Sequence, residues 1–436
     1  MLKVAFYTLG CRSNQYETDA MKKICSLAGF EIVKFEETAD VYVVNTCTVT
    51  GNADKKSRHM IRSAKKKNKN SVVIVTGCYI DAASDELYKI KEADILLKND
   101  DKKNILSYLP KIKSRSSAII PAPRIRANLM VENGCENFCS YCIVPFVRGK
   151  VTSKPIGQAV TEAKQMVDDG VREIILTGIN LGEYGRNLTK KEYSIGNQDF
   201  RSQASDPHAL PKLIEELSKI DGLLRIRLSS IEPMYINDEL IKIIKDNPKA
   251  CRHLHIPLQS GDDKILKVMN RGYTAKDFLK MAKKIKKSIK DISITTDIIV
   301  GFPGEDKKAF NNTCKMIDKI KFPRVHMFSY SDRPGTAAFN LKNKIKPKMI
   351  AGRYEKLGEL RAKYMLEFHK AQQKKPVEVL IEQKDPKTGL YEGLTGNYIR
   401  VFWAGDDSGD DCIGKLLPLK IGHFQGECVL AEPILV

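Results

Sequence analysis

The sequence predicts an α/β protein in three parts: an N-terminal doubly wound α/β domain (1–120), a central partial (β/α)6 barrel of TIM type (124–374), and a small all-β barrel (376–436). Three observations carry this. Short β-branched runs alternate with helix-length polar segments near the start, as buried parallel strands covered by helices require. The alternation continues through six further units after residue 124, enough for a full or partial barrel. From about residue 376 the helical pattern gives way to short alternating strands separated by turn residues.

In order, VAFYTL (4–9), VYVVNT (41–46) and VVIVTG (72–77) read as parallel strands, with helical segments at 17–28 and 52–67 between them. PKIKSRSSAIIPAP (110–123) holds three prolines and small polar residues and reads as a linker. The barrel strands are expected at 127–132, 172–178, 224–230, 253–259, 293–301 and 324–330. Helices are expected at 157–169, 209–220, 237–246, 274–289 and 306–319. Residues 186–208 are polar and patternless, an excursion loop, and a long helix at 346–374 closes the segment. The final strands VEVLIEQ, YEGLTGNYIRVFW, LPLKIGHF and ECVLAEPIL build a module of the size that binds RNA or oligonucleotides. Its Tyr391, Tyr398, Arg400, Phe402 and Trp403 mix aromatic and cationic groups suited to RNA, and equally suit the core of a small barrel.

The chain of 436 residues carries 73 Lys and Arg against 53 Asp and Glu, a net +20 that suits a polyanionic partner. Runs such as Lys65–Lys67 also fit solvated helix faces. No apolar run reaches the roughly 18 residues of a membrane span, and the N-terminus begins a strand with no apolar leader. A cytoplasmic, reducing location is expected. There, eleven cysteines point to metal binding or catalysis rather than a disulfide scaffold.

Cys135, Cys139 and Cys142 fall within eight residues as C-x3-C-x2-C, directly after the first barrel strand, where βα loops form the active face. Zinc would want a fourth ligand, and none lies near in sequence. Three thiolates suit an iron–sulfur cluster with one open iron, and three buried thiols without metal remain the plain alternative. Cys11, Cys47 and Cys78 each follow a predicted parallel strand, at the carboxyl end where α/β sheets place their ligands. They can converge on a second three-ligand site. Chance core placement or a disulfide between two of them are the alternatives. Cys25, Cys251, Cys314, Cys412 and Cys428 show no ligand-like spacing.

The 135–142 loop resembles the CxxxCxxC motif of the radical S-adenosylmethionine (SAM) superfamily, and Tyr141 matches its usual form. The resemblance implies that SAM chelates the open iron and is cleaved by one electron to methionine and a 5′-deoxyadenosyl radical. With LGCRSNQYET (9–18), NTCTVTGNADKKSRHMIRSA (45–64) and NGCENFCSYCIVPFVRGK (133–150), essentially the whole chain resembles the methylthiotransferases. This radical SAM family has an N-terminal methylthiotransferase domain, a radical SAM barrel and a C-terminal TRAM RNA-binding module.

The resemblance implies two [4Fe–4S] clusters, an auxiliary one on Cys11, Cys47 and Cys78 and a SAM-binding one on Cys135, Cys139 and Cys142. It implies SAM as both methyl donor and radical source, a tRNA anticodon loop as partner, an electron donor such as flavodoxin or ferredoxin, and a sulfur donor. The nearest branch acts at C2 of N6-threonylcarbamoyladenosine (t6A) at tRNA position 37. Sister branches act on isopentenyladenosine at the same position or on a ribosomal-protein aspartate. A non-enzymatic iron–sulfur RNA-binding or redox-sensing protein is the alternative outside the enzyme class.

Strand ends supply the SAM-contact candidates: Tyr141 on the cysteine loop, Thr177 and Gly178 in TGINLGEYG, Ser229, Ser230 and Glu232 in SSIEP, Gln259 and Ser260 in HIPLQSG, Arg271 in MNRGY, and Gly301 in DIIVGFPGE. Arg271 can grip a carboxylate with both arms of its guanidinium, and Gly301 allows backbone to approach an adenine closely.

Overall fold

A computed structural model describes residues 1–110, 124–189, 192, 209–373, 375–405, 411–425 and 428–433, without the side chains of 83, 84, 86, 425, 428 and 433. The 110–123 linker, beyond Pro110, and most of the 186–208 excursion lie outside the described residues. The chain forms two compact units. The first combines Met1–Ala122, Asn133–Val151 and Ser331–Asn340; the second combines Pro123–Glu132, Thr152–Tyr330 and Leu341–Val436.

The first unit is a parallel sheet of β1 (Lys3–Thr8), β2 (Glu31–Val33), β3 (Val41–Thr46), β4 (Val72–Gly77) and β5 (Ile95–Leu97), in the order β2-β1-β3-β4-β5. Every residue of central β3 is buried, which is why VYVVNT reads as a continuous apolar run. Tyr42 and Val44 pack on one side of the sheet, Val41 and Val43 on the other. Helices α1 (Arg12–Leu27), α2 (Gly51–Lys67) and α3 (Cys78–Leu87) follow β1, β3 and β4. Helix α1 starts five residues before the expected 17. Its first turns bury polar Ser13, Asn14 and Thr18, so the usual apolar stripe is absent there. The short strands β2 and β5, and a 3-10 stretch at Asn99–Tyr108, carry too little pattern to be expected.

In the second unit six strands lie in chain order at Arg126–Met130, Glu173–Thr177, Arg225–Leu228, His253–His255, Ser293–Val300 and Arg324–Ser329. They form two parallel three-stranded sheets. Isolated parallel bridges, Ile226 to Ala250 and Ser230 to His255, join the sheets into the expected partial barrel. One face of these strands, with Ile174, Leu176, Ile226, Leu228, Ile294 and Ile298, packs in a core shared with helix residues such as Ala163, Leu213, Phe278 and Ile317.

The opposite face is charged. Glu173 is fully buried and bonds Arg126 Nε and Arg227 Nε, both at 2.7 Å, with Arg225 3.8 Å away. The arginines' remaining donors go to the C-terminal module. Arg225 donates to the carbonyls of Leu394 and Glu378, Arg227 to those of Thr395 and Gly396, and Arg126 to Glu382.

That module is a closed five-stranded barrel of Pro376–Lys384, Tyr391–Thr395, Arg400–Trp403, Leu416–Gln425 and Cys428–Pro433, and it fits a TRAM-like domain. Closure removes the exposed strand edges. Of the two readings of its aromatics, the core one holds for two of the four. Tyr391 and Trp403 fill the module's core. Tyr398 stacks on His253 at 4.5 Å and lies under Arg227 at 4.8 Å, so it packs against the larger barrel. Of the five residues only Arg400 is exposed, with Tyr398 and Phe402 half-buried.

Candidate metal centres and cofactor site

Cys11, Cys47 and Cys78 lie at the carboxyl ends of β1, β3 and β4. β1 and β3 flank the point where the strand order reverses, the place where open α/β sheets bind ligands. Gly10 has φ +97°, and a Cβ there would sit 2.9 Å from Cys47 Sγ, so the first cysteine turn lies directly on the second cysteine. Cys11 takes the N-cap position of α1 and Cys78 opens α3, two helix ends whose dipoles favour a negative sulfur. Burial pushes the Cys47 thiol up to about 12, and Cys78 and Cys11 push it the same way. Burial also raises Cys78, against the Arg148 guanidinium, which lowers it. Three sulfurs within electrostatic reach, the two buried ones reluctant to ionise without a cation, are a donor set for a soft metal.

The 135–142 loop belongs to the same unit. It is pinned by Cys135 N donating to Gly149 O at 3.1 Å and Cys142 N donating to Cys139 O at 2.9 Å. Gly134 has φ +88°, and a Cβ there would strike the Lys150 backbone. All three thiols are half-exposed, and Phe138 and Phe146 form an exposed edge-to-face pair beside them. A later segment reaches both cysteine regions. Ser331 Oγ accepts from Gly51 N at 3.0 Å, Arg333 binds Asp54 and Thr48, and Ala338 N donates to Ser140 O. No group of three or more His, Cys, Asp or Glu side chains among the described residues is set to hold a metal ion as it stands. Cys25, Cys251, Cys314 and Cys412 are buried, and the Cys428 side chain lies outside the described residues.

In the second unit the SAM-contact candidates gather at strand ends. Thr177 is buried, and Gly178 N donates to Ser229 Oγ at 3.3 Å. Ser230 bridges to His255. The carboxylate that Arg271 grips is that of Glu232, with both guanidinium arms engaged. Gln259 sits at φ +61° with its Oε1 buried and without a hydrogen-bond partner. Ser260 lies against Thr313, and Gly301, at φ +78°, donates its N–H to Glu305. Tyr141 is half-buried in the first unit.

Sequence reasoning missed Asn180, whose Oδ1 accepts from Glu232 N while its Nδ2 is buried without a partner. Two orphaned polar atoms, Asn180 Nδ2 and Gln259 Oε1, are what a polar cofactor would satisfy. A Cβ on Gly178 would strike the Glu132 carboxylate, which holds Asn180 N at 2.8 Å. Gly178→Ala is therefore expected to displace this turn and weaken SAM binding at least tenfold, measured by calorimetry. Unchanged affinity would remove Gly178 from the site.

His255 bonds Asp297 at 3.1 Å and meets His326 edge to face at 5.5 Å. Burial, and then His255, hold the His326 pKa down to about 4. The unfolded chain therefore takes up this proton near pH 6.5, before the folded one does, and stability falls as pH drops from 6.5 toward 4. After discounting for partial exposure, about 1 kcal/mol is lost by pH 5. His326→Asn is expected to flatten the fall in Tm between pH 7 and 5.

Comparison with known proteins matches this architecture. Residues 3–98 match the uncharacterized protein family UPF0004, and residues 130–317 match the radical SAM superfamily. The fold is similar to that of the radical SAM methyltransferase TsrM from Kitasatospora setae, solved with cobalamin and a [4Fe–4S] cluster (TM-score 0.54, 14% identity, 77% of each chain). The partial barrel and its three-cysteine loop define a radical SAM enzyme, a class that works with a [4Fe–4S] cluster and SAM.

Over almost its whole length the chain is also similar to two threonylcarbamoyladenosine tRNA methylthiotransferases, both MtaB. It is 37% identical to that of Bacillus subtilis (strain 168), covering 97% of this chain and 94% of the relative. It is 36% identical to that of Aquifex aeolicus (strain VF5), covering 96% and 100%. The chain belongs to the MtaB family of radical SAM methylthiotransferases.

Proposed function

We propose that the protein inserts a methylthio group at C2 of t6A in position 37 of tRNA. The carrying observation is the pairing of two cysteine trios in a chain 36–37% identical throughout to two enzymes named for that substrate. In this reading Cys135, Cys139 and Cys142 hold the SAM-binding cluster, and Cys11, Cys47 and Cys78 hold an auxiliary one. The division at 1–120, 124–374 and 376–436 then marks cluster, barrel and RNA-binding domains.

An aromatic C–H offers no acidic proton, so the chemistry calls for radical and sulfur cofactors, which these clusters and SAM supply when bound. The chain's own part is to hold and to position. Gly178 leaves room for backbone to approach SAM, and Asn180 and Gln259 offer it unsatisfied polar atoms. The exposed pair Phe138 and Phe146 offers faces on which a splayed anticodon-loop base can stack. The net +20 supplies phosphate contacts.

An electron donor of the flavodoxin or ferredoxin kind, a sulfur donor and a cytoplasmic location complete the reading. Among the described residues no helix is long and apolar enough to cross a membrane.

The test is mass spectrometry of nucleosides after the reconstituted protein acts on t6A-containing tRNA with SAM and a reductant. A 2-methylthio-t6A peak is expected. Product only on isopentenyladenosine tRNA, or only on a ribosomal protein, would overturn the substrate assignment, and no deoxyadenosine release would overturn the enzyme class. Arg400→Glu reverses an exposed charge on the C-terminal barrel and is expected to weaken tRNA binding about three- to tenfold with a shallower salt dependence. Equal affinity and slope would exclude that face from the RNA contact.

A further inference from the structure

Arg148 ends helix α4 (Val144–Arg148), six residues after Cys142, yet its side chain faces the other cysteine trio. Its Nε donates to Cys78 Sγ at 3.2 Å, and its Nη atoms donate to Asn14 Oδ1 and to the Glu17 carboxylate. The side chain is 2% exposed. Glu17 is shared with Lys102, itself buried. Glu17 therefore serves two buried cations, the exposed Asp81 being a further carboxylate in electrostatic reach of both, and the Arg148 charge lies directly against Cys78. A buried guanidinium held against a sulfur is stabilised when that sulfur is negative, so this arrangement favours an anion at the cysteine trio. The N-terminus of α3 at Cys78 adds potential of the same sign. A [4Fe–4S]2+ core on three thiolates carries one net negative charge, the sign that the adjacent Arg148 guanidinium favours.

We propose that Arg148 is a positioning residue for the auxiliary cluster. It balances that cluster's charge and, by donating to its Cys78 ligand, raises its reduction potential. Hydrogen bonds to ligand sulfur and nearby charge are established levers on such potentials. The inference rests on the two-cluster reading given above.

The test uses the full chain with Cys135, Cys139 and Cys142 replaced by Ala, so that only the auxiliary cluster remains, followed by EPR-monitored redox titration. Arg148→Gln is expected to lower the midpoint so that the reduced-to-oxidised ratio at fixed potential falls at least tenfold, about 59 mV for one electron. Arg148→Lys keeps the charge and is expected to recover at least half of that shift. Glu17→Gln removes the counter-charge and is expected to move the midpoint the opposite way.

Shifts of the same sign in Arg148→Gln and Glu17→Gln, or ratios unchanged within about twofold, would overturn the proposal. If Arg148→Gln loses its cluster, Glu17→Gln decides: an upward shift supports the proposal, and a lowered or unmoved midpoint rejects it. If the background with Arg148 intact binds no iron at all, the auxiliary-cluster reading itself has failed.

Discussion

Replacing Cys11, Cys47 and Cys78 together by Ala is expected to reduce methylthiolated tRNA by at least ~10^3-fold, the scale of losing groups that carry the chemistry. Deoxyadenosine release from SAM under reductant should persist, because the 135–142 loop retains its own three thiols. The fold should survive. Cys11 is exposed, and the buried Cys47 and Cys78 each lose one sulfur atom from a partly polar setting, so about 1 kcal/mol apiece is the expected cost. The variant therefore separates radical generation from sulfur insertion, and nucleoside mass spectrometry alongside deoxyadenosine assay reads both. Methylthiolation by the triple variant would sink the assignment of that trio, and loss of both activities with a normal melting curve would indicate a single shared site.

The second large effect concerns stability. Glu173→Ala is expected to cost about 3–5 kcal/mol, the range for removing one partner of a buried ionic cluster. Arg126, Arg225 and Arg227 would be left facing one another where the C-terminal barrel packs on the larger one. Burial alone would raise the Glu173 pKa, but Arg227 and Arg126 more than offset it and hold it at about 2. A carboxyl depressed in the folded state stabilises above its unfolded pKa. This contribution is therefore complete above about pH 4.5 and is lost as pH falls toward 2. Urea unfolding near neutral pH should show a lower midpoint, with early release of the C-terminal barrel. An unchanged midpoint would mean that the arginines find other partners.

Much of this was legible in the sequence because periodicity and chemistry coincided. Five of the six barrel strands lie within the stretches expected and the first starts one residue before its own, since β-branched runs such as SITTDIIV declare themselves. The cysteine trios were legible for different reasons, one by local spacing and the other by position after each parallel strand. What stayed hidden involves partners far apart in sequence. Glu17 and Arg148 lie 131 residues apart, and Arg333 and Asp54 279 apart, so no local pattern joins them. Asn14 could have been found, because it follows Cys11 by three positions on the same face of α1. The aromatics of the C-terminal barrel were ambiguous for a physical reason. In so small a barrel the alternation that points one side chain outward sends its neighbours into the core, and composition does not reveal the register.

The first unit's discontinuity has a consequence for the timing of biosynthesis. Ribosomes add about 5–20 residues per second, so tens of seconds separate the emergence of the five-stranded sheet from that of Ser331–Asn340, the last stretch the unit requires. Until Asn133–Val151 is made, Cys78 lacks the cover that Ile143 and Val147 give it in the finished unit. The nascent sheet thus passes through an interval in which the Cys78 sulfur is more accessible than it will be again. In the two-cluster reading proposed above, order of synthesis, as much as final shape, would govern when iron reaches this trio.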